Sequence, residues 1–132
     1  MRKPRLLRFT SCQSENSEFI GRALTRYVGE RLGLATQFVD SISWQQRLRL
    51  LDEGVIHSGW VCGLPYVLRA DRPRPRMELL AAPVMTGARY AGRPVYFSDI
   101  VVRHDSPARS FLDLRGSTWG YNEPRSHSGY EV

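Results

Sequence analysis

Lysine is nearly absent from this chain: of its nineteen basic residues, only Lys3 is not an arginine. Cysteine is almost as scarce. Cys12 and Cys62 are the only two, too few for a disulfide framework and without the spacing of a metal site. No apolar run approaches the roughly 20 residues that span a bilayer. The basic start Met1-Arg2-Lys3-Pro4-Arg5 is followed only by Leu6-Leu7 before Arg8 interrupts, which is no secretory core, so as written the chain is expected to be cytoplasmic. Catalytic signatures are missing too. Paired carboxylates, a nucleophile elbow, a P-loop and a dinucleotide-binding glycine fingerprint are all lacking, and His57 and His104 have no partners at triad or ligand spacing. The expectation is a protein that is not an enzyme and needs neither cofactor nor metal.

What remains is 132 residues, 42% hydrophobic, with a net charge of +6. That is enough for one modest domain with a core. The charge is scattered from Arg2 to Arg125, and only Arg69, Arg72, Arg74 and Arg76 cluster. Prolines interleave that cluster, which reads as a solvated loop, so nucleic acid is not the expected partner.

The apolar pattern alternates between two periods. Leu6 to Thr10 reads as a strand, and Ser11-Cys12-Gln13-Ser14 as a polar turn. Phe19, Ile20, Ala23, Leu24, Tyr27, Val28 and Leu32 then recur at helical spacing up to a terminating Gly33. Thr36 to Asp40 predicts a second strand. Ser43 caps a helix carrying Trp44, Leu48, Leu50 and Leu51 that stops at Gly54, and Val55 to Val61 predicts a third strand. Strand–helix–strand–helix–strand with short connections predicts an α/β fold, a mostly parallel sheet flanked by helices. Further strands are expected at Met77–Met85, Tyr96–Arg103 and Ser117–Tyr121, with a helical turn over Ser110–Gly116.

Near the end, Ser126 and Ser128 flank His127 and precede Gly129, just after a turn containing Pro124. Hydroxyls and free backbone N–H groups at a helix start form an anion cradle. The same serine would equally serve as an ordinary helix cap.

Four segments, Gly59-Trp-Val-Cys-Gly-Leu-Pro-Tyr66, Tyr96-Phe-Ser-Asp-Ile-Val-Val-Arg103, Asp113-Leu-Arg-Gly116 and Tyr121-Asn-Glu-Pro-Arg-Ser-His-Ser-Gly-Tyr130, together resemble the phosphate/phosphite/phosphonate substrate-binding proteins of ABC transporters. The resemblance runs from about Leu6 to the last residue. It implies a type II periplasmic-binding-protein fold whose first lobe is residues 1–95, whose crossover strand is 96–105, and whose second lobe begins at 106–132 and is incomplete. It also implies non-covalent binding of a small anionic solute, a phosphorus oxyanion, and delivery to an ABC permease. In the family such proteins are periplasmic or lipid-anchored.

Carried over by motif, Ser126, His127, Ser128 and Gly129 would hold phosphoryl oxygens, with His127 departing from the frequent threonine. Trp44 matches an aromatic that relatives place at the start of the second helix, where an amphipathic-helix anchor is the alternative. Tyr66 is the ligand candidate of its motif, on a turn shaped by Gly63 and Pro65, whereas Trp60 fits core packing better. Ser11 and Gln13, at the end of the first strand, would line the cleft or simply form a polar loop. If the first and third strands are neighbours, Cys12 and Cys62 would approach each other and could pair. A chain ending within the second lobe would leave Phe111, Leu112, Leu114 and Trp119 without a full core, and self-association through this tail is the expected compensation. A cytoplasmic sensor or interaction module derived from the lobe, or a non-functional truncated product, is the rival reading.

Overall fold

The centre of the sheet is its first strand. In a computed structural model that describes residues 6–121, β1 (Leu6–Ser11) pairs in parallel with β2 (Ala35–Val39) on one side and with β3 (Ser58–Trp60) on the other, giving the order β2-β1-β3. Register runs from Leu6 opposite Ala35 to Thr10 opposite Val39, and from Phe9 opposite Ser58 to Ser11 opposite Trp60. A strand order that reverses about a central strand is the topology that places a ligand crevice outside the strand C-termini.

Helix α1 (Glu18–Leu32) ends at Gly33, whose left-handed φ of 63° and N–H bond to Gly29 O close the last turn. Its large apolar side chains are not what it buries. Gly21, Thr25 and Gly29 form the face against the sheet, while Phe19 (69%), Tyr27 (56%) and Leu24 (49%) are exposed. Close approach is the reason: a side chain at Gly21 would meet the Phe38 ring and one at Gly29 the Thr36 side chain. Helix α2 (Trp44–Asp52) starts as expected at Ser43. Its hydroxyl accepts from Gln46 N, and the Gln46 side chain accepts in turn from Ser43 N, a reciprocal capping box.

The third strand is shorter than its apolar run. Val55 N and Ile56 N both donate to Leu50 O, closing the turn after α2, and Ile56 becomes the most buried large side chain of the core instead of a strand residue. Pairing with β1 begins at His57. Its N–H donates to Arg8 O at 2.9 Å and its Nδ1 accepts from Arg8 N at 3.1 Å, so the imidazole extends the ladder.

A second departure follows β3. The expected turn over Gly63 and Pro65 is the first turn of a helix, α3 (Gly63–Ala70). Proline is accommodated there because first-turn N–H groups have no intrahelical acceptor to lose. Arg69 therefore belongs to the last turn of α3 rather than to a solvated loop. Its guanidinium binds Asp52 at the end of α2 through Nε–Oδ1 (2.8 Å) and Nη2–Oδ2 (3.0 Å), and Arg76 Nη1 donates to Asp52 O at 3.3 Å.

The chain divides into two units, the first ending at Glu78 and the second beginning at Leu79. In the second unit the described residues form no strand, and the segments expected as strands at 77–85, 96–103 and 117–121 are irregular. A strand is a property of a pair of segments, and no ladder forms here, so apolar side chains such as Val101 (85%) and Leu80 (80%) stay exposed. Short 3-10 turns at Ala88–Tyr90 and Phe111–Leu114 are its regular structure. Around the first, Arg89 binds Asp99 through two hydrogen bonds of 3.0 and 2.9 Å and stacks on Phe97, 4.2 Å from its ring centroid.

Candidate functional site

Two strand ends and one helix start converge at the C-terminal edge of the sheet. β1 delivers Ser11, Cys12 and Gln13; β3 delivers Trp60 and Cys62; and Cys12 N donates to Trp60 O at 2.8 Å, carrying the pairing one residue beyond the strand. α3 starts at once after Cys62, and Tyr66, half-buried, sits in its first turn with its N–H bonded to Cys62 O at 3.2 Å. Gln13 joins the two loops, its Nε2 donating to Cys62 Sγ at 3.4 Å and its backbone N–H to Ser11 Oγ at 3.1 Å.

The individual groups differ in what they have left to offer. Ser11 is only 1% exposed, and its hydroxyl is engaged inside the turn with Gln13. Gln13 and Trp44 are half-buried, Trp44 as the first residue of α2. Ser126, His127, Ser128 and Gly129 lie outside the described residues.

Cys12 and Cys62 do come together, but as free thiols. Cys62 Sγ faces Cys12 O at 3.9 Å and takes the Gln13 amide as donor, so the sulfur is occupied by backbone and side chain rather than by the other sulfur. Burial pushes the Cys12 thiol up from its usual 9.0 to about 11, with Arg47 pulling the other way. Cys62 is likewise raised by burial, against the Gln13 hydrogen bond. Both are neutral near pH 7, poor nucleophiles but serviceable weak donors.

Beneath this edge lies a buried ionic cluster that the sequence reading passed over. Arg47, 8% exposed, donates from Nε to Ile42 O (2.9 Å), from Nη1 to Ser11 O (2.6 Å) and Glu18 Oε1 (2.9 Å), and from Nη2 to Asp40 O. The Asp40 carboxylate faces Arg22 as an ion pair. Two arginines and two carboxylates thus offset one another where β1, β2 and the starts of α1 and α2 meet. The available signal was Arg47's position on the stripe Trp44, Arg47, Leu48, Leu51, a charge where the helical period calls for a core residue.

The second unit holds a hollow of about 390 Å3 lined by Ser106, Pro107, Ala108, Asp113, Leu114 and Ser117. Its one carboxylate, Asp113, accepts from Arg109 N and Ser110 N at 2.8 Å each, which hold its pKa below the usual carboxylate range. An anion would meet this charge rather than a free donor, so the hollow is a poor rival to the strand edge.

A family model for the periplasmic phosphonate substrate-binding protein of ABC transporters matches residues 10–132. The chain belongs to this family. No curated protein matches it significantly. The three parallel strands with their helices are accordingly part of a type II periplasmic-binding-protein lobe, and the convergence of Cys12, Gln13, Cys62 and Tyr66 falls at the strand ends where such sheets hold ligands. Phosphonate-binding proteins of this kind are periplasmic binding components, not enzymes as a class. Among the described residues no helix is long and apolar enough to cross a membrane.

Proposed function

We propose that the chain contributes to the non-covalent capture of a small phosphorus oxyanion, such as phosphate, phosphite or a phosphonate, for an ABC importer. The observation that carries this reading is the family match over residues 10–132 together with the opening of the β1 and β3 loops onto one edge. Gln13, Trp44 and Tyr66 provide the first-lobe surface, and Ser11 acts through the turn that its hydroxyl holds. Ser126, Ser128 and the backbone at Gly129 supply oxyanion donors from the second lobe, with His127 adding a charge-assisted hydrogen bond when protonated. Fixed dipoles and cleft closure, without covalent chemistry, account for affinity.

Calorimetric titration of the chain with phosphate, phosphite and methylphosphonate tests this. Heat of binding is expected with at least one of the three. Silence with all three defeats the ligand assignment.

The exposed apolar residues of the second unit support self-association as part of the same reading. Leu79, Leu80, Ile100, Val101, Phe111 and Leu112 are each more than half exposed, and burying such side chains against a second copy is favourable.

A further inference from the structure

A backbone carbonyl without a ladder partner presents negative partial charge, which disfavours an anion nearby. Three carbonyls, Ser11 O at the end of β1, Asp40 O just after β2 and Ile42 O in the loop leading to α2, accept from one side chain, Arg47, and two carboxylates, Glu18 and Asp40, stand beside them. Without compensation this is an environment for a cation.

We infer that Arg47 is a positioning residue that renders the first-lobe edge tolerant of an anion: it occupies the strand-end carbonyls and supplies the positive charge beneath them without touching the ligand. The inference rests on the oxyanion reading above. Its geometry excludes the simpler idea that a buried arginine in an anion-binding lobe is the anion's own partner. Of five N–H donors, four are committed, to Ile42 O, Ser11 O, Glu18 Oε1 and Asp40 O. The side chain is 8% exposed and directed at backbone. A guanidinium suits the task because it forks to several acceptors in fixed directions, which an ammonium on a flexible stem does not. Its pairing with Glu18 leaves the carbonyls, not the carboxylate, as its larger set of partners.

Cys12 provides a probe that needs no ligand. As a thiolate it is an anion resident on this edge, and the charged or titratable groups acting on it are Arg47, Cys62 and Arg69. The experiment uses the full chain, R47K and R47M, and follows the pH dependence of iodoacetamide alkylation at Cys12, resolved from Cys62 by peptide mass spectrometry. In R47M the Cys12 titration is expected to move up by about one pH unit or more, and in R47K to stay near that of the unmodified chain. An unchanged titration in R47M overturns the inference. Equal displacement in R47K and R47M also overturns it, because that pattern reports lost hydrogen bonds and not lost charge.

Should R47M not fold, R47Q carries the test with the same sign. It removes the charge but keeps amide donors for the carbonyls, so the Cys12 titration moves up, and no movement overturns the inference. With methylphosphonate as ligand probe, R47M is expected to bind about tenfold more weakly or worse, and R47K close to the unmodified chain. If the unmodified chain binds none of the phosphorus oxyanions, the ligand reading falls while the thiol titration still decides the role of Arg47.

Discussion

Gly21 lies directly under the ring of Phe38: a β-carbon added to it would come within 2.6 Å of Phe38 Cε2. The same helix repeats the arrangement two turns later, where a β-carbon on Gly29 would come within 2.7 Å of Thr36 Oγ1 and 3.1 Å of the Leu34 carbonyl. The stripe Gly21, Thr25, Gly29 therefore sets how closely α1 approaches β2. The distance between helix and strand is fixed by what these residues lack.

Alanine ordinarily stabilises a helix relative to glycine by about 1 kcal/mol, so here propensity and packing oppose each other. Packing is expected to win. Gly29→Ala should destabilise the chain by about 1–3 kcal/mol, since one obstructing atom is backbone and cannot rotate away. Gly21→Ala should cost less, as the Phe38 ring can shift beneath the Arg22 guanidinium stacked 5.3 Å from its centroid. Urea denaturation checks the order, and a stabilised Gly29→Ala variant would show that α1 is not held by this contact.

The Cys12 thiol should be slow to react at pH 8. Thiolate is the reactive form, and burial holds the proton up to about 11. The folded thiol keeps its proton to higher pH than the unfolded one, whose usual value is 9.0. The native state therefore binds more protons between these limits, and stability falls as pH rises from 9 towards 11. The total loss is at most about 2–3 kcal/mol, and below about pH 8 this group adds no pH dependence. Denaturation midpoints across pH 7 to 11, compared with those of Cys12→Ala, measure the effect. Matching curves for the two would remove Cys12 as its source.

Self-association of the intact chain should be lost when charge is placed on its exposed apolar residues. Val101→Glu together with Leu112→Glu introduces two like charges at positions 85% and 73% exposed, which should leave the fold of residues 6–78 unchanged in far-ultraviolet circular dichroism. Sedimentation velocity across a concentration series is expected to show the unmodified chain above its 15.1 kDa monomer mass and the variant at it. An unmodified chain that sediments as a monomer throughout would end the idea.

Much of the first unit was legible because its signals are local. Ser43 as a cap with Gln46 three residues on, Gly33 as a left-handed stop, and the alternation of strand and helix from Leu6 to Trp60 each depend on a few neighbouring residues. The parallel order followed from the short connections between them. Less legible was the face that each element would bury. The apolar spacing of Phe19, Ile20, Leu24 and Tyr27 marks α1 as a helix, yet the sheet takes the glycines. The Gly-x-x-x-Thr-x-x-x-Gly spacing was the competing signal.

Non-local features divide differently. Arg47 in the sequence is one arginine among many. It becomes a structural centre only when β1, β2 and α1 bring Ser11, Asp40 and Glu18 to it from 36, 7 and 29 residues away. The apolar runs at 77–85 and 96–103 have strand composition, but composition cannot supply a partner, and among the described residues they form no ladder.

The sequence by itself determined the element order from β1 to β3, the caps at Ser43 and Gly33, and the family, because those depend on neighbouring residues and on motifs in register. Only the tertiary structure decided that Cys12 and Cys62 meet as free thiols, that Pro65 sits in the first turn of a helix, and that an arginine with four of its five N–H donors committed underlies the strand ends. Each of these is a relation between distant segments, fixed by how closely backbones approach and by which buried polar groups must find partners.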